Sequence, residues 1–141
     1  MADLFWDTNL FIYLFEKSPE FLDRIVAIRK RMVERGDRLF TSTLTVGEIL
    51  VKPFQMGDHQ MVERYQQYFD GAALTAIPFD LAASQAYAQI RADRTIARPD
   101  AIQLACAASR NIDLFLTNDR RLSGKTIAGI HFITTLEGAP L

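Results

Sequence analysis

The chain has 141 residues, 49% of them hydrophobic and 23% charged, with a net charge of −1 at neutral pH. That length fits one domain able to bury a core unaided, and the hydrophobic share excludes a disordered chain. A single cysteine, Cys106, excludes an internal disulfide and a Cys-rich zinc site, while the near-zero charge excludes bulk electrostatic binding of nucleic acid and leaves room only for a local basic patch.

The first residues, Met-Ala-Asp, lack the basic segment of a signal peptide, and the longest apolar run, Leu10 to Phe15, is far too short to span a bilayer. The expectation is a soluble, cytoplasmic protein with no membrane contact. Leu4 to Trp6 reads as a short buried strand ending at Asp7. The segment FWDTNLFIYLF, residues 5–15, is apolar on both sides of Asp7-Thr8-Asn9. A carboxylate there needs a partner, an exposed element end or a cation, because an unpaired buried charge is costly. Thr8 to Phe15 opens a helix capped by Asp7 or Thr8. Ser18-Pro19-Glu20 has the capping serine, first-position proline and early acid of a helix start. Phe21, Leu22, Ile25, Ile28, Met32 and Val33 then follow at helical spacing as far as Gly36, a helix stop.

RLFTS, residues 38–42, is a second strand. Leu44 to Lys52 is a helix that Pro53 ends, and His59 to Phe69 is another. Leu74 to Ile77 is a strand, Leu81 to Ala92 and Pro99 to Ser109 are helices, and Asp113 to Leu116 and His131 to Thr134 are strands. Strands alternating with helices predict one α/β domain over 1–141, with a parallel sheet covered on both faces.

Ligands in such a sheet bind beyond the carboxyl ends of the strands. Four acids sit where that rule directs attention: Asp7 after LFW, Glu48 on the helix after RLFTS, Asp100 in the first turn behind Arg98-Pro99, and Asp119 after LFLTN. Four carboxylates in one pocket repel unless some are protonated or a cation lies between them. Oxygen-only ligation suits Mg²⁺ or Mn²⁺ rather than zinc. Each acid also has a plain structural role open to it. Asp7 and Asp100 suit helix N-termini, and Asp119 suits a turn. Glu48 falls three after Thr45, as in a capping box, although Thr43, after Ser42, is an equally good cap and would leave Glu48 in the second turn with its side chain free.

The segments DTN, TLTVGEIL, RPDAIQLACA and FLTNDRRL, in this order, resemble the PIN-domain family, and most closely its VapC-like ribonuclease toxins. The resemblance covers nearly the whole chain. It implies a parallel sheet of about five strands flanked by helices. It also implies a catalytic pocket of Asp7, Glu48, Asp100 and Asp119, supported by Asn9, Thr117 and Asn118. On that reading Asp7, Asp100 and Asp119 hold Mg²⁺, or Mn²⁺, and Glu48 orients or deprotonates the attacking water. The implied products of RNA cleavage are a 5′-phosphate and a 3′-hydroxyl. The implied partners are an RNA substrate, a small antitoxin protein that occludes the acidic pocket, and a second copy in a homodimer. The alternative is a catalytically inactive PIN-fold protein-binding module.

An aspartate-nucleophile phosphatase would need an aspartate two after Asp7, where Asn9 stands. A phosphoacceptor domain would want its aspartate at a middle strand end, and RLFTS supplies none. Two departures from the family pattern stand out. Gln103 replaces a small or apolar residue on the Asp100 side of its helix, where it contacts substrate or is solvated. Gly47 sits inside a helix, where close backbone packing is one explanation. Setting the four acids aside leaves thirteen acids against sixteen basic residues, a balance of +3. Arg98, Arg120 and Arg121 flank two of the acids and are the candidate phosphate contacts. Arg24, Arg29, Lys30, Arg31 and Arg35 read as a solvated helix face. Cys106, amid small residues, reads as buried packing.

Overall fold

Apolar residues alternate along the strands and so feed two separate layers. The computed structural model describes residues 1–141. Its strands are β1 (Asp3–Trp6), β2 (Arg38–Ser42), β3 (Thr75–Ile77), β4 (Ile112–Thr117) and β5 (Ile130–Thr135). Its helices are α1 (Thr8–Phe15), α2 (Leu22–Arg35), α3 (Thr43–Gln55), α4 (His59–Asp70), α5 (Leu81–Ile90), α6 (Arg98–Ala108) and α7 (Arg120–Ser123). The five strands form one sheet in the order β3-β2-β1-β4-β5, with every neighbouring pair parallel. This is the α/β fold expected.

Phe5, Phe40, Ile77, Phe115 and Ile133 pack on one face against Ala83 and Ile90 of α5 and Ala101, Leu104 and Ala105 of α6. Phe5 and Phe115 stack with ring centroids 4.9 Å apart. Leu4, Trp6, Leu39, Leu114 and Leu116 pack on the other face against Leu10 and Phe11 of α1, Ile25, Ile28 and Met32 of α2, and Phe69 of α4. Cys106 is fully buried among the small residues of α6, and burial pushes its thiol up to about 11, so it is inert packing.

Several local expectations change. Pro53 lies inside α3 and does not end it; only its own N–H is missing, and the helix closes beyond it through Met56 N–H to Lys52 O. Ser18-Pro19-Glu20 forms a capped turn ahead of α2, with Ser18 Oγ accepting the Phe21 N–H at 3.4 Å and Ser18 O the Leu22 N–H at 2.9 Å, and the regular helix starts later than this signal, at Leu22. Val33 is exposed rather than part of the apolar face. The basic face of α2 is not simply solvated, the reading its sequence suggests, but partly tied down. Arg24 donates to the carbonyls of Leu136 and Ala139, Arg29 to that of Ala73, and Arg31 and Arg35 pair with Glu34 and Asp37.

Candidate functional site

The sheet reverses its winding beside β1. The helix after β1 contributes Leu10 and Phe11 to one layer, while α7, which follows β4, contributes Leu122 to the other. The carboxyl ends of β1 and β4 therefore flank a crevice, the usual ligand position in an open parallel sheet. Asp7, Thr8, Asn9, Ile12, Glu48, Pro99, Asp100, Gln103 and Asp119 line a cavity of about 320 Å³ there. All four acids singled out from the sequence reach this one cavity, from four separate chain segments.

Asp7 is both the N-cap of α1 and a wall of the cavity. Its Oδ1 accepts the Thr8 N–H at 2.8 Å and its Oδ2 accepts the Thr117 hydroxyl at 2.9 Å. Its own N–H donates to Leu116 O at 3.0 Å, which ties the end of β1 to β4. Only 8% of Asp7 is exposed. Burial pushes its carboxyl up to about 6; the Thr117 and Thr8 hydrogen bonds pull against that, and the negative charges of Asp100 and Glu48 add to it.

Ser42 is the N-cap of α3, its hydroxyl accepting the Thr45 N–H at 3.2 Å. Thr45 is therefore inside the helix, and Glu48 falls in the second turn, free of capping duty. Its Oε1 accepts the Thr8 hydroxyl at 2.7 Å. Gln103, three residues along α6 from Asp100, is neither solvated nor at the cavity surface alone: it is 2% exposed. Its Nε2 donates to Thr8 Oγ1 at 2.8 Å and to Thr45 Oγ1 at 2.7 Å, and lies 3.5 Å from Asp7 Oδ1. Its Oε1 accepts the Ser42 hydroxyl. Sequence reasoning takes Thr8 and Thr45 only as helix caps and places the alternative cap at Thr43, whereas the cap is Ser42 and all three of Thr8, Ser42 and Thr45 hold Gln103. The available signal was the serine cap, which turns Thr45 inward.

Asp100 stands in the first turn of α6, behind Pro99. Burial raises its carboxyl, and Asp119 and Glu48 add to this against the opposing pull of Arg121. Asp119 caps α7 and is lowered, chiefly by hydrogen bonds from the Arg121 side chain at 3.1 and 2.9 Å. The donors facing the cavity are all oxygen, the chemistry that suits Mg²⁺ or Mn²⁺. No three acid, histidine or cysteine side chains are drawn together tightly enough to hold one ion. Mutual repulsion and separate partners account for this: Thr117 and the Thr8 amide hold Asp7, the Thr8 hydroxyl holds Glu48, and Arg121 holds Asp119. The donor set fits a hard divalent cation, which has to compete with those partners.

The supporting residues divide. Asn9 lines the cavity, and Thr117 stands behind Asp7. Asn118 is not among the cavity residues; it donates to the Tyr13 hydroxyl at 2.9 Å. Of the three arginines, Arg121 is committed to Asp119, Arg120 lies 3.7 Å from Glu137 at the exposed surface, and Arg98 is exposed at the start of α6. A second, more apolar cavity of about 360 Å³ adjoins the first. Ile12, Phe15, Ile49, Pro53, Met56, Met61 and Tyr65 line it, and it shares Ile12 and Glu48 with the acidic one. No helix is long and apolar enough to cross a membrane.

None of the curated proteins matches the chain by sequence. Among solved structures, VapBC2 from Rickettsia felis, bound to a DNA fragment from its promoter, superposes with a TM-score of 0.74 at 15% identity, covering 94% of this chain and 98% of that one. DNA-bound VapBC from Salmonella typhimurium gives 0.66 at 24% identity, covering 96% and 99%. VapBC-5 from Mycobacterium tuberculosis, a member of the VapBC family of toxin–antitoxin systems, gives 0.60 at 20% identity, covering 96% and 99%. These likenesses carry the fold. The PIN domain family profile matches residues 4–126. With that match over most of the chain, and with the acids of its four motif segments gathered at one crevice, the protein belongs to the PIN-domain family.

Proposed function

We propose that this protein is a divalent-metal-dependent endoribonuclease, the toxin of a toxin–antitoxin pair, assembled as the sequence resemblance implies into a homodimer. One observation carries the reading: Asp7, Glu48, Asp100 and Asp119 line a single cavity at the reversal of the sheet. When bound, a divalent cation supplies the charge that polarises a phosphodiester and acidifies water. Asp7 and Asp100, the two acids whose carboxyls burial raises, are the first-choice holders of that cation. Asp119 would join them if it exchanged Arg121 for the cation as its partner, and Arg121 would then be free to meet a substrate phosphate. Glu48, held by Thr8, orients the attacking water or takes its proton.

The solved toxin–antitoxin complexes of the same fold support an antitoxin partner. The apolar cavity beside Glu48 suits a segment of that partner, because chain lying in it abuts the acidic cavity and closes it to RNA. The inactive binding-module alternative draws on the engagement of Glu48 and Asp119 by their own partners.

RNA cleavage by the purified protein separates the two. Cleavage should require Mg²⁺ or Mn²⁺, stop with EDTA, and fall to near background in both Asp7→Asn and Asp100→Asn. The double variant should be hardly worse than either single one, because groups acting as a unit are non-additive. Full activity in excess chelator, or near-normal turnover in both variants, would overturn the proposal.

A further inference from the structure

Gln103 supplies a hydrogen-bond network whose proton positions follow from the count of donors. The Gln103 amide has two protons, and they reach Thr8 Oγ1 and Thr45 Oγ1 at 2.8 and 2.7 Å. Glu48, as a carboxylate, only accepts, so the single Thr8 hydroxyl proton goes to Glu48 Oε1 at 2.7 Å. The 3.0 Å contact between Thr8 Oγ1 and Thr45 Oγ1 then takes its proton from Thr45. Thr8 accepts twice and donates once. Ser42 accepts the Thr45 N–H, donates to Gln103 Oε1, and fixes which end of the amide faces which way. Rotating the amide by half a turn would set its oxygen against Thr8 Oγ1, whose proton is already committed, and against Asp7 Oδ1. Only one arrangement satisfies every group, and in it the side-chain bonds from Ser42, Gln103 and Thr45 lead toward Thr8, which donates to Glu48.

We propose that Gln103 is a positioning residue that directs the Thr8 hydroxyl onto Glu48 and so sets where that carboxylate stands in the acidic cavity. The inference rests on the metal-dependent nuclease reading. It adds a role for a residue that is almost wholly buried at the back of the cavity. The network joins three chain segments: the start of α1, the junction of β2 and α3 from Ser42 to Glu48, and the first turns of α6. Gln103 is the one member bonded to Thr8, Ser42 and Thr45 alike, and its Nε2 lies 3.5 Å from Asp7 Oδ1.

Binding of Mg²⁺ alone, measured by titration calorimetry on the purified full chain, tests this without using catalysis. Gln103→Met keeps the volume and removes both donors and the acceptor. Glu48 is not one of the named holders of the ion, but its charge acts on Asp7 and Asp100 across the cavity, so displacing it should lower Mg²⁺ affinity about tenfold or more, the size of effect usual when a group that supports the ligands from behind is lost. Thr8→Val, which removes the hydroxyl that Gln103 directs, should lower it to a similar degree. The double variant should be no worse than the worse single one, since both changes break one chain. Gln103→Glu should be the most severe, because its carboxylate would draw the Thr8 proton away from Glu48. A lower melting temperature in Gln103→Met with Mg²⁺ affinity within about twofold of the parent would make Gln103 mere packing and overturn the inference, while RNA cleavage by the parent left the nuclease reading standing. If Gln103→Met does not fold, Thr8→Val decides alone, and unchanged Mg²⁺ affinity there overturns the inference. A parent that binds neither Mg²⁺ nor Mn²⁺ overturns both readings together.

Discussion

Asp7 carries the cost of a charge placed at the edge of a core. Folded, it keeps its proton up to about pH 6, whereas an unfolded aspartate releases its proton near 3.9. Between those values the folded state binds more protons, so stability falls as pH rises from about 4 to about 6 and stays lower above. Asp7→Asn should remove that fall. In EDTA, the stability of the variant relative to the parent should rise across this window by up to roughly 3 kcal/mol. Urea denaturation at pH 4 and pH 7 reads the difference, and a gap that does not change with pH would contradict the assignment. Asp100 makes a milder case in the same direction. Without metal, Asp100→Asn should melt at the parent's temperature or higher, and Mg²⁺ should raise the parent's melting temperature much more than the variant's. Were Asp100 only a helix-terminal acid, losing it would instead cost up to about 1 kcal/mol and Mg²⁺ would raise neither.

At the scale of elements, the helix starts serve two purposes. Asp7 and Asp119 cap α1 and α7 while lining the cavity, so the structural and functional readings of these acids are not exclusive. The cap of α3 settles the reading of Glu48: with Ser42 capping, Thr45 is inside and the glutamate is released from any capping box. Gly47, its neighbour, is not explained by close packing, because a Cβ built there meets nothing within 4 Å and its backbone needs no left-handed conformation. Gly47→Ala should therefore stabilise the protein by about 0.5–1 kcal/mol, the helix-propensity difference, as a higher melting temperature. A lower one would point to a contact or motion that only glycine allows.

For the whole molecule, the central strand β1 sends Phe5 into one layer and Leu4 and Trp6 into the other, so the two cores share a single wall. Phe115→Ala, which removes the ring stacked on Phe5, should cost about 3–5 kcal/mol, a large share of the total stability of about 5–15 kcal/mol typical of a domain. Chemical denaturation measures it, and a loss under about 1 kcal/mol would mean the layer repacks. The order of strands and helices, the stop at Gly36 and the four acids at element ends were readable in the sequence, because alternation, caps and breakers act between residues close along the chain. Pro53 misled because the proline removes only its own N–H, and α3 continued past it, whereas the serine cap at Ser18 accepts the Phe21 N–H as its sequence signal implies and the regular helix begins at Leu22. What only the tertiary structure decided is who meets whom across long separations. Thr117 reaches Asp7 from 110 residues away, and Gln103 reaches Thr8 from 95. Local pattern could mark Gln103 as unusual and Arg121 as basic. It could not bury the amide among Thr8, Ser42 and Thr45, because burial and distant partners arise only when the layers close.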